Sequence, residues 1–480
     1  MATRIIGTLR SFQTVKERRK NDHVIFGKTS QTIFCFVLLV ALPYAIPGLH
    51  RFRLLPALNH AAPKTDPQET IAQIEDLNEI VTASGTLKLE TKPGEIEDPS
   101  GKALRNFFAA LLKTETTGGQ TRISHYGDSP ITNDGITATV RRKLQQRFGD
   151  AGHGFVLTAK PWAWYEHQGV ATEAGSAWNS EPMFISRGDH IFGLGGASFT
   201  TSAANATATF NALPEGEIKH VVSSFDIYYL AQPDGGEFDI EIDGAKLIRI
   251  STASDTTKSA FYRTEMPEGT HSLTLRTVGN GEVRMFGVVL ENSAKGLQYD
   301  SLGVNGAFIG LLANYMDEQH WLEQLRHRKP DLVIIGYGAN ESQFETLNMN
   351  QYERDTREVV RRIRAALPDT SIMLLGPMDR GMRGAGGQIV TRPMIKKLIV
   401  YQRKLAAELN CAFFDTFTAM GGEGTVAKWF EVRPRLMGGD FTHPTAQGSD
   451  IVGTLIYDAI IKAYEGYKEE QNLLQAEVRK

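Results

Sequence analysis

The chain has 480 residues, of which 22 % are charged and 41 % hydrophobic, with a formal net charge of −3. This is ordinary globular composition, long enough for two or three domains. The near-neutral balance and the absence of a polybasic stripe in the body give no basis for nucleic-acid binding. Two cysteines, Cys35 in an apolar run and Cys411 in an expected buried strand, provide no disulfide framework.

Residues 1–28 carry Arg4, Arg10, Lys16, Arg18, Arg19, Lys20 and Lys28, and residues 29–49 carry no charge. About 20 mostly apolar residues span a bilayer, and a positive flank stays in the cytoplasm. We therefore read 1–28 as a cytoplasmic tail and 29–49 as a transmembrane anchor, with the rest of the chain outside. A cleaved signal peptide competes with this reading, but no small-x-small cleavage site directly follows the apolar run. Residues 50–100, rich in Pro, Glu, Asp, Lys and Thr, read as a stalk. One short helix is expected there from the spacing of Ile71, Ile74, Leu77 and Ile80.

A stronger helix is expected over 103–112, with Leu104, Phe107, Phe108 and Leu111 on its apolar face. From residue 122 the pattern is α/β. A strand at 123–126 runs into Gly127-Asp128-Ser129, and a helix follows, capped by Asn133 or Asp134, with Val140, Leu144 and Phe148 buried. Strands at 332–335, 372–375 and 412–414 alternate with helices at 352–366, 394–409 and 446–464, which predicts a parallel sheet covered on both faces. Between them, 180–295 shows period-two runs separated by turns such as Asp234-Gly235-Gly236, Asp243-Gly244 and Asn280-Gly281, which predicts an inserted all-β sandwich. The α/β domain thus divides into 101–179 and 296–466, and 467–480 reads as a C-terminal tail.

Four elements carry chemistry. Ser129 stands at the carboxyl end of an expected strand and the entry to a helix, where open α/β sheets bind ligands. Its hydroxyl is a candidate nucleophile, and its amide a candidate donor to an oxyanion. Asp440-Phe441-Thr442-His443 spaces a carboxylate and an imidazole so that one orients the other, which is what an activated serine requires. Gly306, in Leu302-Gly303-Val304-Asn305-Gly306-Ala307, and Asn340, in Gly338-Ala339-Asn340-Glu341, follow expected strands and are further candidate oxyanion donors.

In this order the blocks resemble those of the SGNH/GDSL hydrolase superfamily, whose Ser, Gly, Asn and His correspond here to Ser129, Gly306, Asn340 and His443, with Asp440 three residues before the histidine. The resemblance covers 101–466 apart from the insert. It implies a flavodoxin-like three-layer α/β fold, a covalent acyl-enzyme, and no metal or other cofactor. His125 to Ser129, Gly303 to Ala307, Asn340-Glu341 and Ala419-Met420-Gly421-Gly422 are similar to a bacterial branch that includes the peptidoglycan O-acetylesterases. That branch carries a jelly-roll, carbohydrate-binding-like module between its first two blocks, where the insert lies here. The segment Pro444-Thr445-Ala446-Gln447-Gly448 is nearer the general superfamily pattern.

The resemblance therefore implies deacetylation of a polysaccharide, peptidoglycan or exopolysaccharide, and the N-terminal segment 29–49, not the resemblance, predicts an enzyme held in the inner membrane with its catalytic body in the periplasm or beyond. An O-acetyltransferase, a lipase or thioesterase, and a non-catalytic membrane-anchored glycan-binding protein are the competing readings. Trp162, Trp164 and Tyr165 are candidates for stacking on sugar rings. The twelve histidines show no convincing metal-ligand spacing. Asp239, Glu241 and Asp243 alternate along one strand as a solvated face rather than as calcium ligands.

Overall fold

The computed structural model describes residues 79–82, 85–88, 94–184 and 188–478. The expected cytoplasmic tail and membrane anchor, and most of the stalk, lie outside the described residues. Among the described residues no helix is long and apolar enough to cross a membrane. Within the stalk, Glu79–Thr82 pairs antiparallel with Gly85–Lys88, so Ile80 belongs to a hairpin rather than to the expected helix. The run Ile80-Val81-Thr82 is β-branched throughout, which favours the extended form.

The α/β body is built on six strands, β1 (Ile96–Glu97), β2 (Gln120–Gly127), β3 (Gly296–Gly303), β4 (Leu332–Gly336), β5 (Ser371–Leu375) and β6 (Ala412–Phe414). Their order is β3-β2-β4-β5-β6-β1, parallel except for β1, which runs antiparallel to β6. Alternate side chains feed two cores, as a pleated strand requires. Val333 and Ile335 enter one cluster, and Leu332 and Ile334 the other. Helices α1 (Arg105–Thr116), α2 (Gly135–Phe148), α3 (Met349–Ala366), α4 (Pro393–Glu408) and α5 (Ala446–Val478) complete the layers. Phe107, Leu144 and Ile460 pack on the face of Ile334; Val359, Ile363 and Leu398 pack on the face of Val333. This is the expected three-layer α/β arrangement.

The C-terminus departs from expectation, because α5 continues through the segment read as a tail. Residues 467–478 consist mostly of strong helix formers. The added turns are anchored by Lys468 on Glu115 at 2.8 Å, Arg105 on Glu470 at 3.2 Å, and Tyr467 against Phe108.

Between α2 and β3 lie two antiparallel sheets. One orders Lys258–Arg263, Ser224–Ala231, Val283–Glu291, Ala197–Thr201 and Asn179–Pro182, with Gly154–Leu157 also paired to Val283–Glu291. The other orders Ala245–Ser251, Glu237–Ile242, Ser272–Thr277, Thr207–Ala212 and Val170–Ala174. The sheets thus recruit strands from residue 154 onward, earlier than the expected start at 180. Gly154–Leu157 is buried on both faces, so it shows no alternation to mark it as part of a sandwich. The Asp243-Gly244 turn forms as expected, both residues having positive φ, 53° and 79°. Asp239 pairs with Arg249 and Glu241 with Arg276, as on a solvated strand face.

The sandwich is fused to the α/β body. Phe155, Tyr228 and Phe286 share one hydrophobic cluster with Trp321, Leu325 and Val333. Buried Arg328 ties Glu291 of the sandwich to Asp300 of β3, each at 2.8 Å.

Candidate active site

Strand β2 ends at Gly127, where the chain turns tightly. A Cβ on Gly127 would meet Ile131 Cδ1 at 2.9 Å and the Gly336 carbonyl oxygen of β4 at 3.0 Å, so only glycine fits. Ser129 then opens a short 3₁₀ turn, Ser129–Ile131, and its carbonyl accepts from Thr132 N–H at 3.2 Å and Thr132 Oγ1 at 2.9 Å. This fixes the serine backbone at the carboxyl edge of the sheet, with 8 % of the residue exposed.

The Asp440–His443 loop reaches the same place from the start of α5. Asp440 Oδ1 accepts from the backbone N–H groups of Thr442 and His443 at 3.0 and 3.1 Å, closing the loop on itself. Its other oxygen, Oδ2, meets His443 Nδ1 at 2.5 Å. Phe441 takes a left-handed φ of 58°, and its carbonyl accepts from Gly381 N–H at 2.8 Å. His443 Nε2 lies 2.6 Å from Ser129 Oγ. The hydrogen bond from His443, with those from the two backbone N–H groups, holds the Asp440 carboxyl well below the usual carboxylate range, against partial desolvation. With Asp440 ionised, Nδ1–H donates to it and Nε2 is left to accept the Ser129 hydroxyl. That arrangement lets a serine lose its proton as it attacks a carbonyl.

Gly306 follows β3 with φ of 74°, and no atom lies within 4 Å of the position its Cβ would take, so bare backbone faces open space. Asn340 opens the turn after β4. Its Nδ2 donates to the Ala307 carbonyl at 2.7 Å, joining the Asn340 loop to the Gly306 loop. The Ala339 N–H donates to Asp128 Oδ2 at 3.2 Å, joining the Asn340 loop to the serine loop. All five residues expected from the sequence therefore lie on loops at one edge of the sheet. Ser129, His443 and Asp440 are in direct hydrogen-bond contact; Gly306 and Asn340 are connected to them through neighbouring backbone.

A model of the GDSL-like lipase/acylhydrolase family matches residues 269–451. That stretch holds Gly306, Asn340, Asp440 and His443, while Ser129 precedes it. Among solved structures, a peptidoglycan O-acetylesterase aligns with a TM-score of 0.66 at 21 % identity, over 77 % of this chain and 99 % of that one. Residues 269–451 thus carry a GDSL-like lipase/acylhydrolase domain, and the fold is shared with that O-acetylesterase. A family two carbohydrate esterase from Clostridium thermocellum, in complex with cellohexaose, covers 62 % of this chain and all of its own at 12 % identity, with a TM-score of only 0.27. No curated protein matches the sequence.

Three buried or half-buried charged residues of the hydrolase hold its loops together. Asp128 has the Ala339 contact. Glu341 Oε1 accepts from Ile309 N–H at 2.9 Å, tying the Asn340 loop to the segment after Gly306. Arg380 donates to the Ala339 carbonyl and to Thr442 Oγ1, the latter at 2.9 Å, so it bridges the Asn340 and His443 loops. Burial, reinforced by the neighbouring Glu341 charge, pushes the Asp128 carboxyl up to about 8. Burial pushes Glu341 up to about 7, opposed by its backbone hydrogen bonds. Burial also lowers Arg380, as does the like charge of Arg392. Sequence reasoning assigned none of these three a role. Asp128 and Glu341 stand inside the blocks already singled out, but Arg380 belongs to no motif.

The aromatic candidates separate. Tyr165 is 4 % exposed, and its hydroxyl accepts from Leu157 N–H at 2.9 Å, so it is a core residue and offers no stacking face. Trp162 is partly buried against the same core, and Trp164 is 54 % exposed. The loop that carries them touches the serine loop through Glu166 N–H and the Thr132 carbonyl, 3.5 Å apart.

The fold also gathers Asp134, His153 and His167, distant in sequence, with ligand-type atoms within 4.8 Å of one another. Most of their polar atoms are already engaged, although His153 Nδ1 is buried without a hydrogen bond. Asp134 accepts from Arg141 at 2.7 and 3.1 Å, Thr137 Oγ1 at 2.6 Å and Gln168 N–H at 3.0 Å, and the two histidines hydrogen-bond each other at 2.9 Å. Arg141, fully buried, also pairs with Glu215 of the sandwich at 3.1 Å. The Arg141 guanidinium already neutralises Asp134, the only carboxylate of the group, so these residues fit a structural network better than a metal centre.

Proposed function

We propose that this hydrolase removes O-acetyl groups from a polysaccharide outside the cytoplasmic membrane, through an acyl-enzyme on Ser129. The observation that carries the reading is the continuous hydrogen-bonded line from Ser129 Oγ through His443 to Asp440, at 2.6 and 2.5 Å. His443 Nε2 takes the serine proton as Oγ bonds to the acetyl carbonyl carbon. The negative charge that develops on the carbonyl oxygen is met by the Ser129 and Gly306 amides and the Asn340 side chain. As the tetrahedral intermediate collapses, the ester C–O bond breaks and the sugar oxygen leaves with the proton from His443. Water, deprotonated by His443, then attacks the acetyl-serine, and acetate departs as the proton returns to Ser129.

The acetyl group and the polysaccharide are favoured by the fold shared with a peptidoglycan O-acetylesterase. The membrane side is favoured by the uncharged run 29–49 behind a basic flank. The test is turnover on acetylated glycans and on p-nitrophenyl esters of increasing chain length, with free acetate measured directly. Acetate released from glycan, and rates falling as the acyl chain lengthens, are expected. Preference for long acyl chains would favour a lipase. Acetyl recovered on an added sugar rather than as acetate would favour a transferase.

A further inference from the structure

Beyond Asn340 lies a cavity of about 220 Å³ that the proposed chemistry does not use. Its walls come from three places. Ser342 and Glu345 belong to the loop after Asn340, Met382 to the hairpin of Gly381–Arg383 with Ile389–Thr391, and Arg392 and Lys397 to the start of α4. Two of these elements also touch the active site. Ser342 is two residues from Asn340, and Gly381 holds the Phe441 carbonyl of the histidine loop.

The charges around this cavity are unbalanced. Other cations of α4 are paired: Lys396 with Glu423 at 2.9 Å, Arg403 with Glu97 and Asp415, and Lys404 with Glu408. Arg392 and Lys397 have no carboxylate partner among the described residues, and Arg392 Nε is buried without a hydrogen bond. Arg380 lies near enough to Arg392 for the two like charges to oppose each other. Against Arg392 and Lys397 the cavity lining offers one exposed carboxylate, Glu345, while Arg380 faces Asp128 and Asp440 on the active-site side. An unpaired, partly buried guanidinium is costly, and its planar fork matches a carboxylate with two parallel hydrogen bonds.

We propose that this cavity is a subsite for a carboxylate carried by the polysaccharide, engaged by Arg392 and Lys397 while a neighbouring ester lies at Ser129. The proposal rests on the polysaccharide-esterase reading above. It makes the enzyme selective for acidic acetylated glycans, because a substrate anchored at both places is held at high effective concentration beside the nucleophile. Glu345 limits that selectivity by like-charge repulsion.

The experiment compares kcat/KM on an O-acetylated uronic-acid polymer with kcat/KM on the same polymer after reduction of its carboxyl groups. O-acetylated glycan fragments with a lactyl carboxylate, and their reduced forms, make a second arm that distinguishes the source of the carboxylate. In at least one arm the wild type is expected to prefer the acidic form by about tenfold, and the preference should shrink as salt rises. The Arg392→Gln/Lys397→Gln double variant should lose most of that preference, chiefly through KM on the acidic form, and Glu345→Gln should widen it. Equal rates on acidic and reduced forms in both arms would overturn the subsite, as would a double variant that loses equally on both forms. If no glycan is deacetylated while p-nitrophenyl acetate is, the polysaccharide reading itself fails and the subsite falls with it.

Discussion

His443 Nε2 and Ser129 Oγ meet at 2.6 Å although 314 positions of chain separate them. The whole β-sandwich lies between the two, so the pair forms only when both parts of the α/β body close on each other. Each residue is also held by its own loop, independently of the contact: Ser129 by the turn after β2, and His443 by Asp440 Oδ1 and the Gly381 contact. The Ser129–His443 contact is thus preorganised by backbone geometry, and the testable consequences concern the groups that hold it.

Asn340 is expected to act on developing charge rather than on substrate binding. Replacing it with alanine should lower kcat by about 10²–10³, the usual cost of one oxyanion donor, with a much smaller change in KM. Steady-state kinetics on p-nitrophenyl acetate separates the two parameters. A change confined to KM would move Asn340 into substrate binding.

Arg380 is expected to act through the loops it joins. Arg380→Ala removes the link between the Ala339 carbonyl and Thr442, and should lower kcat by about tenfold with little effect on KM. Added guanidinium ion should restore part of the loss by refilling the same position. An unchanged kcat, or a loss that guanidinium does not touch, would remove the positioning role.

The buried carboxyls predict a pH dependence of stability. The Asp128 carboxyl, pushed up to about 8 when folded, ionises near 3.8 when unfolded. Below that lower value both states hold the proton and the group has no effect on the balance. Between the two values only the folded state keeps it, so stability falls as pH rises toward 8, by at most about 1.4 kcal/mol per pH unit. Glu341 acts in the same direction over a window that ends near 7. Urea unfolding at pH 5 and pH 8 should show this decline in the wild type and a shallower one in Asp128→Asn. The same slope in both proteins would mean that Asp128 is ionised in the fold.

Much of this architecture was readable from sequence where a single physical signal dominated. The parallel strands are short apolar runs buried on both faces, and the helices between them keep a clear apolar stripe. The same signal misled at Gly154–Leu157, whose continuous apolar run gives no hint that it pairs within the sandwich. Tyr165 looks like its neighbour Trp164 in sequence, yet one is core and the other exposed, because the Leu157 N–H captures the tyrosine hydroxyl. The last turns of α5 have helix-forming residues, but the contacts with Glu115, Arg105 and Phe108 that hold them against the body appear only in three dimensions. Ser129, Asp440 and His443 stood out because their chemistry demands particular residue types at loop positions. Arg380 did not, since its role depends on two loops that meet only in three dimensions.

The sandwich also changes in meaning once its packing is known. Because Phe155, Tyr228 and Phe286 share a core with Trp321 and Val333, it supports the α/β body as well as lying beside the site. Single substitutions in the catalytic loops are therefore the cleaner route to the chemistry.

The most direct measurement is the site of the covalent intermediate. The protein is mixed with p-nitrophenyl acetate, quenched in acid within the burst phase, digested, and mapped by tandem mass spectrometry. A single acetyl group on Ser129, absent from the Ser129→Ala variant together with nearly all turnover, is the predicted result. An acetyl group mapped to another residue, or a Ser129→Ala protein that hydrolyses acetyl esters at a comparable rate, would contradict the account.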